Sequence, residues 1–364
     1  MFPWFSESNY LIAPIHLSER YAISLSTVQL TAMALILGLT VANILGLRYG
    51  KLVQNLFTVA KTGALLALIV LGLTLGWNSA VVSENLATFW TPHPSTPVAG
   101  DLWSTSLVGL VMALGVAQVG SLFSADSWHV VAFAAEEVEN PRRTLPLSMA
   151  LGTLAVTALY LLANLAYLAS LRIAEIQQAP ADRVATAMVQ RIFPESGVVL
   201  MSAAIMVSTL GCNNGLILAG ARAYYAMARD GLFFRRAGEL SSARTPAWGL
   251  ALQAAWSILL VLPRTYDPQL KSYGNLYGDL LDYVVSAALL FYILTIAGLI
   301  RLRFTRPDVD RPVRAWGYPW VPVLYILGAG AIVAILVVYR PMTTWPGLVL
   351  VALGAPVYLV WRRP

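Results

Sequence analysis

The stretch SLVGLVMALGVAQVGSLFSADSWHVVAFAAE, residues 106–136, decides the fold. It is longer than the roughly 20 residues a spanning helix needs. Yet it carries Phe123-Ser124-Ala125-Asp126-Ser127-Trp128-His129 between two apolar halves. Asp126 falls near the middle of the membrane, where an ionisable residue is costly and marks a functional site by default. Backbone leaves a helix at that depth only where it lines a protein-buried or watery cavity. Transporters use such breaks to turn carbonyls and half-helix ends toward substrate and ions. On composition alone an intact helix, its polar side chains packed against neighbours, stays open. His129 follows Asp126 by three residues, so the two can touch if the segment is helical. Its imidazole can titrate or serve as a neutral hydrogen-bonding group.

Outward from this segment lie eight further apolar stretches, at about 26–46, 53–76, 148–169, 197–219, 247–263, 278–300, 319–339 and 345–361. Together they predict an all-α integral membrane protein of about nine transmembrane helices, with residues 1–364 as one transmembrane domain. The composition agrees: 58% of the residues are hydrophobic and 12% charged, against about 25% charged in a soluble domain. The formal charge of +6 therefore reads as basic cytoplasmic loops and not as a nucleic-acid surface. Sixteen of the 24 basic residues fall on the set of loops that includes the C-terminus, and seven on the opposite set. This bias puts the C-terminus in the cytoplasm. An odd number of spans then puts the N-terminus outside, although Met1 is followed by no basic n-region of a signal peptide. The expectation is that helices precede residue 1. The loop 77–101 and the stretch 171–192 are read as external, the second with a short amphipathic helix.

The second apolar segment holds Gln54, Thr58, Lys61 and Thr62. Their i, i+4, i+7, i+8 spacing makes one polar stripe, expected to face the bundle. Lys61 is either functional or a lysine snorkelling to the interface. In the fifth segment Ser208, Thr209, Asn213 and Asn214 cluster beside Gly211 and Gly215, a pattern that suits close helix packing with hydrogen bonds across helices. Asp279 and Asp282 open the seventh segment, and Asp282 lies deeper. Cys212 is the single cysteine, so no disulfide forms within the chain. The three histidines have no zinc-like spacing, no Gly-Lys phosphate loop is present, and nothing pairs a nucleophile with a base. No enzyme activity, cofactor or metal is expected.

Several motifs resemble one family. Phe123–Trp128 followed by EEVENPRRTLP (136–146) is similar to the broken sixth helix and cytoplasmic loop of amino-acid permeases, in particular bacterial relatives of the L-type amino-acid transporters. Leu56–Lys61, Ala163–Tyr167, Arg222–Gly231 and Arg311–Pro319 resemble, in order, helix five, helix seven, the end of helix eight and the loop before helix eleven. The chain is identified as a member of the amino acid–polyamine–organocation superfamily. That resemblance implies the leucine-transporter-type fold of inverted five-helix repeats, with helices four to twelve present. Helices one to three, including the broken helix one that holds the substrate carboxylate, would be missing.

The resemblance also implies roles. Carbonyls around Phe123, Ser124 and Ala125 would accept the substrate ammonium, the Phe123 ring would gate it, and Trp128 would shape the side-chain pocket. Lys61 would stand where sodium-coupled relatives bind sodium. This favours sodium-independent exchange or proton coupling, and the lysine would need its pKa lowered by burial to carry a transported proton. His129, Asn214, Ser208, Thr209 and Asp282 would support the site, and Glu137 and Arg142 would help form a cytoplasmic gate. His129 and Ser127 depart from the asparagine and glycine common in L-type members, which leaves substrate preference open. The implied function is secondary transport of L-amino acids across the cell membrane, as permease or antiporter. The alternatives are transport of polyamines or cationic amino acids, with Asp126 pairing the extra ammonium, and a fragment that does not transport. Residues 1–25 hold no cysteine, so no disulfide-linked heavy subunit is expected.

Overall fold

The computed structural model describes residues 4–6, 8–19, 21–88, 107–180, 183–267, 272–273, 276–311, 313 and 315–361. Among them, seven helical segments are long and apolar enough to cross a membrane, and Ala247–Val261 and Thr344–Leu359 are shorter apolar ones. Each coincides with one of the nine stretches read from hydropathy.

The first, α1 (Thr27–Ile44), begins with a capping box: the Ser26 hydroxyl accepts from the Gln29 backbone, and the Gln29 side chain accepts from Ser26 N–H. Two orphan donors of the first turn are thereby satisfied. Gln29 is buried, and its amide also donates to the carbonyls of Val261 (2.7 Å) and Leu262 (3.3 Å). One side chain thus caps α1 and ties it to the end of α9 (Ala247–Val261).

The helix α2 (Leu47–Thr74) starts upstream of its apolar portion, Gln54–Thr74. It packs on α5 (Pro141–Ser170) and α8 (Gly197–Arg229). Leu68, Ile69, Ala163, Ala166, Met188 and Val189 form one core between α2, α5 and the short α7 (Val184–Ile192). The approach is close: a Cβ placed on Gly72 would lie 2.7 Å from the Ala166 methyl. A second core joins α4 (Leu107–Ser124), α10 (Leu276–Thr305) and α11 (Trp320–Tyr339) through Val119, Val285, Leu289, Ala329 and Leu336. The short α3 (Ser79–Thr88) and α6 (Ile173–Gln177) lie outside the apolar spans. The last apolar stretch is divided into α12 (Pro341–Ala352) and α13 (Gly354–Trp361), with Pro346 inside α12.

The all-α expectation needs one amendment. A small antiparallel sheet of order β1-β2-β3-β4 is built from β1 (Tyr10–His16), β2 (Tyr21–Ser26), β3 (Pro263–Asp267) and β4 (Ser272–Tyr273). Along β2, half-buried and buried residues alternate, the period of two that a half-buried strand imposes. The stretch is too short and too alternating to register as a membrane span, and its β3 partner lies more than two hundred residues away, in register Tyr21↔Thr265.

Candidate functional site

The helix α4 stops at Ser124, and residues 128–137 continue as a 3₁₀ segment. The break is physical: Ser127 sits in the left-handed region at φ 69°, which costs a non-glycine residue roughly 1–2 kcal/mol. Of the two readings open on composition, the broken helix is the one formed. The turn is closed locally by Ala125 N–H to Ser121 O (3.0 Å), Asp126 N–H to Phe123 O (3.1 Å) and Val130 N–H to Ser127 O (3.1 Å).

The expected site residues spread along this turn. Phe123 and Trp128 are 38% and 40% exposed. The Ser124 hydroxyl returns to Gly120 O (2.8 Å), and the Ser124 carbonyl accepts from the Tyr160 hydroxyl of α5 at 3.0 Å. A carbonyl has a second lone pair, so this bond does not exhaust it. Asp126 and His129 meet on one residue: Tyr292 of α10 donates to an Asp126 carboxylate oxygen and lies 2.8 Å from His129 Nδ1. The Trp128 and His129 rings lie 5.4 Å and 5.1 Å from that tyrosine ring, and Phe133 meets His129 edge-on at 5.5 Å.

Lys61 of α2 faces α8, where its ammonium lies 3.9 Å from Cys212 Sγ. Gln54, on the same stripe, accepts from Asn214 Nδ2 (3.2 Å), whose Oδ1 accepts from Asn43 Nδ2 (2.9 Å). Asn43 and Asn214 are fully buried. Gly211 lets α8 approach α2 closely, since a Cβ there would fall 2.5 Å from Phe57 Cβ. Thr58 and Thr62 of the stripe are exposed. Ser208 is half-buried, and the Thr209 hydroxyl is satisfied by its own helix at Ile205 O and Met206 O. Arg142 pairs with Asp310 at 3.3 Å, both well exposed. The side chains of Glu137 and Asp282 lie outside the described residues. Among the described residues no group of three His, Cys, Asp or Glu is placed to hold a metal.

Sequence reasoning passed over Tyr160, Tyr292 and Asn43. The two tyrosines sit within long apolar runs, where a single hydroxyl does not interrupt the hydropathy pattern. Their one signal was a hydroxyl in a membrane span, which needs a partner when buried.

Membrane-length helices, one of them broken at a half-exposed acidic and aromatic segment, define a multi-pass membrane protein. Residues 5–359 match the profile of the amino acid permease family, and the chain belongs to that family. It is similar to the b(0,+)-type amino acid transporter 1 of Mus musculus, with 30% identity over 321 residues, 88% of this chain and 58% of that protein. It is similar as well to the serine/threonine exchanger SteT of Bacillus subtilis (29% over 333 residues; 90% of this chain, 68% of the relative). A third is the large neutral amino acids transporter small subunit 2 of Mus musculus (28% over 357 residues; 97% and 61%). The chain thus spans between 58% and 68% of these relatives' lengths.

Proposed function

We propose that these helices belong to a sodium-independent secondary transporter of L-amino acids in the cell membrane, working as permease or exchanger with its C-terminus in the cytoplasm. The observation that carries the reading is the break at Ser124–Trp128, set within a membrane span of a chain of the amino acid permease family. All three relatives described above bear names of amino-acid transporters or exchangers.

The broken turn supplies what an amino acid's ammonium requires. Carbonyls of Phe123, Ser124 and Ala125 lie where the helix no longer uses them fully, and half-exposed Phe123 and Trp128 flank them. The Phe123 ring covers the substrate and Trp128 bounds its side chain. Lys61 places a cation between α2 and α8, and that fixed charge stands in for a sodium ion. A transported proton on the same amine would couple the cycle to pH. Movement of one helix group against the other around the break would give alternating access. No catalytic role is assigned to any residue.

The test is uptake of radiolabelled L-leucine into proteoliposomes, by this chain and by the chain extended with any in-frame sequence upstream of Met1, in sodium and in choline buffer. Uptake in both buffers is expected. A strict sodium requirement would overturn the role given to Lys61, and no uptake by either polypeptide would overturn transport. A second reading, a substrate with an additional cationic group, is favoured by one observation: the Asp126 carboxylate has no basic residue in ion-pair range among the described residues.

A further inference from the structure

We infer that Tyr292 sets the preference between cationic and neutral substrates by occupying the Asp126 carboxylate, with His129 as its alternative partner. The inference rests on the transport reading above. It concerns how one site discriminates, and it names two residues that reading leaves without a role.

The chemistry follows from a count of protons. A tyrosine hydroxyl has one proton to donate and lone pairs to accept with. Tyr292 touches Asp126 and His129 at once. When its proton goes to the carboxylate, His129 must donate from Nδ1 to the phenolic oxygen. Asp126 is then satisfied, and a substrate with an apolar side chain meets no bare charge. A side-chain ammonium or guanidinium entering beside Trp128 would take the carboxylate as an ion pair and release the hydroxyl. The freed hydroxyl is not stranded: His129, in the tautomer protonated on Nε2, accepts it at Nδ1 across the same 2.8 Å contact. An unpaired polar group at this depth would be costly, so the amphoteric imidazole lowers the cost of the exchange. Tyr292 thus opposes cationic substrates and His129 eases their entry, although the two side chains touch. Asp126, His129 and Tyr292 are each half-buried, and the Trp128 and Phe133 rings meet the His129 imidazole edge-on.

A merely structural role for either residue would weaken both classes of substrate together, so the readout is a ratio. Unlabelled L-lysine and L-leucine compete with labelled L-leucine uptake by the reconstituted protein and its variants. Tyr292→Phe is expected to raise the potency of lysine relative to leucine by about tenfold, the order set by a hydrogen bond to a charged group. His129→Leu is expected to lower it, and in an Asp126→Asn background both shifts should vanish. An unmoved ratio, shifts of the same sign in the two variants, or shifts that persist without the carboxylate would each overturn the inference while leaving transport intact. No leucine uptake by either the unaltered chain or its upstream-extended form would overturn the transport reading, and this inference with it.

Discussion

Two side-chain networks cross between the membrane helices, and they are built on opposite terms. Asn43, Asn214 and Gln54 join α1, α8 and α2 with neutral amides, two of them fully buried. Asp126, Tyr292 and His129 join the α4 break to α10 with titratable groups, each half-buried. Neutral amides sealed between close-packed helices can hold a bundle together, since neither partner has an alternative in lipid. A carboxylate and an imidazole at an open break can exchange partners with something that enters. Under the proposed function, the contrast separates polar groups that fasten the fold from polar groups that meet the substrate. One loose end remains in the first network, where Asn43 Oδ1 is buried without a hydrogen-bond partner among the described residues.

The contrast can be broken most forcefully at Asn214. Asn214→Leu removes the amide shared by Asn43 and Gln54 and is expected to cost about 2 kcal/mol, the price of buried amides left unpaired. Thermal unfolding in detergent would read it, and the lysine-to-leucine potency ratio of the surviving protein should not move. A moved ratio would mean that this network also takes part in recognition. At Asp126 the expected pattern reverses. Asp126→Asn should lower the relative potency of lysine about tenfold and leave the unfolding midpoint close to that of the parent. An equal loss for leucine would place the residue among the fasteners.

A smaller effect sharpens the geometry of the break. Ser127 holds a positive φ, so Ser127→Gly should relieve strain of about 1 kcal/mol and raise the midpoint. A lowered midpoint would mean that the serine side chain outweighs the strain. The smallest effect is expected at the exposed Arg142–Asp310 pair. Arg142 and Asp310 are exposed, so Arg142→Ala should change stability by less than about 0.5 kcal/mol. A change in uptake rate without a change in stability would support its role as a gate, and unchanged uptake would remove it.

Much of the helical order was legible in hydropathy, because lipid demands about 20 apolar residues for every crossing. The break was legible as a polar interruption, and the family motifs named it. The sheet was not legible, because β2 pairs with β3 across most of the chain and neither strand leaves a long local pattern. The double duty of Gln29, cap and clasp, was hidden for a similar reason: its cap is local, but Val261 is distant. Lys61 was visible as a charge within an apolar run, and its neighbour Cys212 was not.

By itself, the sequence determined that this chain spans a membrane many times, where its helices run, and that one of them carries charge where charge is expensive. Those properties depend on local composition and on the cost of leaving water. Only the tertiary structure decided that Asp126 and His129 share Tyr292, and that Asn214 is held by two other helices. A hydrogen bond is a statement about distance between groups far apart in the chain. Nothing in the spacing of residues along one helix specifies which face of another will meet it.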